Sequence, residues 1–93
     1  MIRTFANKQT RELWLDGRAR KVPSEVVKRA RRKLALINEA TAVEQLVEPP
    51  GNRLHALAGN RKGQHAIAVN NQWRICFRFE GKDAYDVEFC DYH

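Results

Sequence analysis

Cysteine is scarce in this sequence: Cys76 and Cys90 are the two it has in 93 residues. Two cysteines cannot form the disulfide framework of a small secreted scaffold. Both sit in apolar, strand-like runs, where a reduced, buried thiol is the ordinary reading. Neither they nor the histidines have the spacing of metal ligands. Long apolar runs are missing as well, and none approaches the roughly 18 residues of a membrane-spanning helix. Met1-Ile2-Arg3-Thr4-Phe5 passes straight into polar sequence, so no signal peptide is expected and a cytoplasmic location is. The segment GNRKG, Gly59 to Gly63, is neither a phosphate-binding P-loop nor a dinucleotide fingerprint. No cofactor and no metal are therefore expected.

Acidic residues are the minority charge, eleven against seventeen Lys and Arg, and the pI is near 9.8. The imbalance is uneven along the chain. Residues 1–33 carry eleven basic side chains and three acids, whereas residues 83–93 carry four acids and no Lys or Arg. A basic surface of this kind points to an anionic partner, nucleic acid first and an acidic protein second. The length fits one domain, residues 1–93, which buries only about two-thirds of its unfolded surface and so has a thin core.

The periodicity divides the chain into a helical half and a strand half. Ile2 to Phe5 reads as a short strand. Asn7 is a good N-cap for a helix over 8–16, and Gly17 is a natural stop. Pro23 and Ser24 open a second helix, in which Val26, Val27, Ala30, Leu34 and Ile37 recur at helical spacing. Lys28, Arg29, Arg31, Arg32 and Lys33 fall between them, giving an amphipathic helix with a heavily basic remainder. Glu48-Pro49-Pro50-Gly51-Asn52 ends the helical half. Strands are expected at about 53–57, 64–69, 73–79 and 84–91.

Apolar matching predicts the register. With Asn70-Asn71-Gln72 as a loop, Val69 faces Trp73, Ile67 faces Ile75 and His65 faces Phe77. With Gly81-Lys82-Asp83 as the next loop, Phe79 faces Tyr85, Phe77 faces Val87 and Ile75 faces Phe89. Arg78 then meets Asp86, and Cys76 meets Glu88. One sheet face becomes apolar and is covered by the helices. The other carries Arg74, Arg78, Asp86, Glu88, Cys90 and Tyr92, and His55 joins it if Leu54 and Ala56 point to the core. Strict alternation sends Asp91 and His93 away from Tyr92. Only a bulge or a loss of pairing would gather these three on one side.

The run GNRLHALAGNRKGQHAIAVNNQWRICFRF, followed by VEFCDYH, resembles a bacterial toxin of a toxin–antitoxin pair. The resemblance is to the HigB, or plasmid-maintenance killer, branch of the RelE-like toxins, and it runs from Met1 to His93. MIRTFANKQT and the KLALINEAT piece of the second helix fit it too. It implies an α+β fold, two N-terminal helices packed on a twisted, mainly antiparallel sheet of four to five strands. It implies ribosome-dependent cleavage of messenger RNA. It also implies a helix-turn-helix antitoxin, HigA-like, as the partner, with operator DNA contacted only through that antitoxin.

By position within the resemblance, His55 matches an active-site histidine and Arg74 a phosphate-facing arginine. Asp91, Tyr92 and His93 match a C-terminal catalytic cluster. Gln72 matches a polar neighbour on the RNA side, and Arg61 and Lys62 fall in a basic loop. Histidine carries protons near neutral pH, and arginine presents a planar fork to phosphate. His55 and Asp91 are the expected proton-transfer residues. His65 has core-facing parity and is given no role. The basic face with Arg31 and Arg32 is expected to contact ribosomal RNA, with antitoxin contact at the same surface or a merely solvated face as the alternatives. RelE-like folds also include gyrase poisons, and an inactive interaction module is a third possibility. Neither alternative needs the Asp-Tyr-His end.

Overall fold

The computed structural model describes residues 1–92. Among them, two helices, α1 (Lys8–Asp16) and α2 (Ser24–Glu39), precede an antiparallel sheet of four strands in chain order. The strands are β1 (His55–Ala56), β2 (His65–Ala68), β3 (Trp73–Glu80) and β4 (Asp83–Asp91). The α+β architecture expected from the sequence is the one found.

Asn7 caps α1, its side-chain oxygen accepting from Thr10 N at 2.9 Å. Gly17 ends the helix in the left-handed conformation at φ 70°, its N–H donating to Leu13 O. In α2 the expected stripe is buried at Ala30, Leu34 and Ile37. The helix stops at Glu39, so Ala40 and Thr41 of the KLALINEAT stretch lie outside it. Two short 3-10 turns, Val43–Val47 and Pro50–Asn52, lead to the sheet. Fully buried Asn52 fixes this connection. Its amide donates to Leu46 O and Glu48 O, both at 3.1 Å, and its oxygen accepts from Lys33 Nζ. β1 is shorter than the expected 53–57, because Arg53 takes φ 49° and cannot extend the strand.

The first hairpin has the expected register, His65 opposite Phe77 and Ile67 opposite Ile75. The second differs near its turn. Its loop is the two residues Gly81 and Lys82, with Gly81 at φ 60° as a tight hairpin requires. Phe79 therefore faces Ala84, and Arg78 faces Tyr85, where Tyr85 and Asp86 were expected. A β-bulge at Asp86–Val87, opposite Phe77, then restores the expected pairs Cys76–Glu88 and Ile75–Phe89. Asp86 absorbs the extra residue at φ 54°. Tyr85 is thereby turned to the outer face, where Arg78 lies 4.9 Å from its ring centroid.

The core lies between helices and sheet. Leu13, Leu34 and Ile37 meet Ile67, Ile75, Phe77 and Val87. Trp14 packs against this cluster, and Trp73 stacks on Phe89 with centroids 4.6 Å apart. Ile2 and Phe5 do not form a regular strand. They make two parallel bridges to Ala84 and Val87 on either side of the bulge. The edge of β4 is sealed there: Ala84 N donates to Met1 O, Val87 N to Thr4 O and Asp86 N to Thr4 Oγ1. Further along, Phe89 N donates to Oγ1 of buried Thr10 at 2.9 Å. Those N–H groups are no longer a template for foreign strands.

Two substitutions test this frame by urea unfolding. Asp86→Val should cost about 1–2 kcal/mol, because a β-branched residue is strained in the left-handed region, and Asp86→Asn should cost far less. Thr10→Val should cost about 1–3 kcal/mol by stranding the Phe89 N–H. Equal midpoints for both Asp86 variants would contradict the bulge.

Candidate active site

The outer face of the sheet is built by pairing. His55 stands opposite Ala66, Ala66 opposite Cys76, and Cys76 opposite Glu88. One row along, Ala68 is opposite Arg74, and Arg74 is opposite Cys90. These residues share one side, since directly paired residues point the same way. Ala66, Ala68 and Cys76 are small and buried although they face away from the helices. Longer side chains around them close over this floor.

His55 is exposed and its Nδ1 lies 2.9 Å from Arg53 O. A carbonyl only accepts, so Nδ1 carries the hydrogen and Nε2 is left as the basic nitrogen. Arg74 is partly buried, and its Nε has no hydrogen-bond partner among the described residues. Its guanidinium carbon sits 5.2 Å from the Tyr92 ring centroid, within cation–π range. Tyr92 N donates to Gln72 O at 2.9 Å, so pairing continues past β4 and holds the ring in place. Beside them, Arg61 donates to Glu88 Oε1 at 3.0 Å and to Gln64 Oε1 at 3.1 Å. Arg78 bridges Glu80 and Asp86.

The sequence-predicted residues divide among separate places. His55, Arg74 and Tyr92 share the outer face. Arg61 reaches it as the partner of Glu88, and Lys62 next to it is exposed. Asp91 pairs with Trp73, which puts it on the helix-covered side, and Gln72 Nε2 donates to its Oδ2 at 3.2 Å. The bulge lies upstream and does not bring Asp91 round to Tyr92. His93 is outside the described residues. Arg31 and Arg32 lie on α2, in the layer that covers the opposite face of the sheet. Arg31 donates to Trp14 O at 3.0 Å, tying α2 to the end of α1. Arg32 borders a groove with Arg29, Lys33, Leu36 and Val69. Burial, then the charges of Arg29 and Arg32, lowers the pKa of Lys33 there. His65 stacks on Phe77, consistent with core parity.

Sequence reasoning missed that Cys76 and Cys90 touch, Sγ to Sγ at 3.4 Å. Their register and shared parity held the signal, because residues at 76 and 90 are diagonal neighbours once Cys76 opposes Glu88. Cys90 is lowered to about 7, chiefly by the hydrogen bond from Cys76 and further by Arg74, against the cost of burial. Cys76 is raised by the same bond and by its burial. Cys90, the less buried of the two and directly opposite Arg74, is the better placed to carry negative charge. Alkylation of Cys90 by iodoacetamide should accelerate as pH rises through about 7, while Cys76 stays protected in the folded chain. A midpoint at the ordinary thiol value of about 8.5 would contradict this pairing.

Comparisons with known proteins agree with the geometry. A family profile described as a RelE-like toxin of type II toxin–antitoxin system HigB matches residues 3–93. The Endoribonuclease HigB of Proteus vulgaris is 37% identical over 93 residues, covering all of both chains. Toxin HigB-1 of Vibrio cholerae is 42% identical over 64 residues, 69% of this chain and 67% of that protein. Among solved structures, YafQ from E. coli strain BL21(DE3) superposes with a TM-score of 0.60 at 16% identity, covering 99% of this chain and 92% of that one. A YafQ mutant from E. coli gives 0.63 at 17% identity, with the same coverage. These two likenesses concern the fold. Among the described residues, no helix is long and apolar enough to cross a membrane. The profile match over residues 3–93 and the full-length relative place this chain in the HigB-like family, the RelE-like toxins of type II toxin–antitoxin systems.

Proposed function

We propose that the chain is a ribosome-dependent endoribonuclease that cuts messenger RNA by attack of the RNA's own 2′-hydroxyl. The observation that carries this reading is the shared outer face of His55, Arg74 and Tyr92. His55 leaves Nε2 available as a base, and Arg74 keeps a buried donor unsatisfied. The two stand two strands and one row apart, with their Cα atoms roughly 12 Å from each other. The relative named an endoribonuclease supports the same activity.

His55 Nε2 takes the 2′-hydroxyl proton, and the 2′-oxygen attacks the adjacent phosphorus. Arg74 holds the negative charge that builds on the phosphate oxygens. The bond to the 5′-oxygen breaks, and that oxygen takes a proton from the imidazolium of the terminal His93. The products are a 2′,3′-cyclic phosphate and a 5′-hydroxyl. Tyr92 stacks a base while its other face lies against Arg74. Asp91, tied to Gln72, acts as a positioning residue for the strand end. Arg61 and Lys62 hold the RNA strand beside the site.

The basic side of α2 then faces ribosomal RNA, and the site faces messenger RNA. In the resting cell a HigA-like helix-turn-helix antitoxin holds the toxin inactive in the cytoplasm and carries any operator contact.

Mapping messenger RNA 5′ ends after purified translation tests the nuclease. Cuts should appear only with ribosomes. His55→Ala should slow them by about 10²–10⁴-fold and Arg74→Ala by about 10²–10³-fold. No cuts from the wild type would overturn the reading, and loss of gyrase supercoiling in the same preparation would replace it. Arg32→Glu should weaken ribosome binding and make its salt dependence shallower, by a slope of about one for each phosphate no longer neutralised. Unchanged binding would remove α2 from the ribosome interface.

A further inference from the structure

Neither thiol takes part in the cleavage chemistry, yet two of them touch inside the candidate site. Cys76 is completely buried, and Cys90 is partly exposed. Their sulfurs are 3.4 Å apart, both on the outer face and diagonal across β3 and β4. A disulfide needs about 2.05 Å, so side-chain rotation and a small strand adjustment close the gap. Ala66, directly opposite Cys76, is small. Cys90 also stands directly opposite Arg74.

We propose that Cys76 and Cys90 are a redox modification site, converted by hydrogen peroxide into an intramolecular disulfide that restrains the outer face. The more exposed Cys90 attacks first as its thiolate, forming a sulfenic acid and releasing hydroxide. The shielded Cys76 thiol attacks that sulfur, the S–O bond breaks, and its proton leaves with the oxygen as water. Two thiols lose two electrons in all, and the peroxide is reduced to water. Cys90 has the character of an attacking thiol, since Cys76 and Arg74 both stabilise its thiolate. Closing the bridge removes the anion beside Arg74 and draws Cys90 towards Cys76. Tyr92, two residues along, moves with it.

The regulatory consequence rests on the nuclease reading: the oxidised chain cuts more slowly, by about tenfold or more, as expected when a positioned group shifts by a fraction of an ångström. Dithiothreitol restores the rate.

The test uses the purified, reduced full chain. After hydrogen peroxide, its intact mass should fall by two hydrogens, and maleimide added to the denatured chain should label no thiol. Tryptic peptides Ile75–Arg78 and Asp83–His93 should appear linked. Cys90→Ser should abolish the link, and Cys76→Ala should let Cys90 gain oxygens instead. Added oxygen on wild-type Cys90 with Cys76 still labelled, or a link between two molecules, would overturn the proposal. Equal cutting rates before and after bridge formation would overturn its regulatory half. A reduced chain that never cuts on ribosomes would sink the nuclease reading and leave the thiol result standing.

Discussion

The bulge at Asp86–Val87 is the constraint on which the site depends. A tight two-residue turn at Gly81-Lys82 would, without correction, place Ile75 opposite Glu88 and Phe77 opposite Asp86. Apolar core residues would then face carboxylates along the whole hairpin. One extra residue, accepted by Asp86 in the left-handed region, resets the register. Val87 and Phe89 turn to the helices, and Glu88, Cys90 and Tyr92 turn outward. Burial of Phe77 and Val87 rewards the reset, since each is worth about 1.5–3 kcal/mol of transfer energy. That exceeds the roughly 1–2 kcal/mol cost of one left-handed residue.

The reset sheet separates two kinds of surface. The helix layer presents a basic face in which Arg31 is already committed to the end of α1. The outer face presents small side chains under a ring of charged and aromatic ones. Arg61 and Glu88 neutralise each other there, while Arg74 keeps an unsatisfied nitrogen. Charge alone does not distinguish these arginines. Their partners do: one is held by a carboxylate, the other lies under a tyrosine ring and opposite Cys90.

Much of this was legible in the residues. Asn7 and Gly17 bounded α1, and the Val26-to-Ile37 stripe gave the buried face of α2. Matching Ile67 to Ile75 fixed the first hairpin, and parity put His55 and Arg74 on one face. The turn at Gly81 was less legible. Apolar matching favours the three-residue loop, and one sequence does not reveal that a bulge satisfies both turn and core. Arg53 likewise shortened β1 for a backbone reason that hydropathy does not carry. The place of Asp91 follows from pairing that persists to Tyr92, whereas the expected gathering of the two on one side needed a bulge or a frayed end. The sulfur contact needed the register and the parity together, and each cysteine read singly looks like ordinary core.

The sealed edge of β4 has a consequence for when the protein comes into being. Residues Met1–Ala6 and Thr10 precede their partners Ala84 to Phe89 in the chain by more than seventy residues. Contacts of such long sequence separation form late in folding. The strand that carries Cys90, and with it Tyr92, cannot be clamped until it has left the ribosome that makes it. The nascent chain therefore carries helices and half a sheet but no assembled outer face.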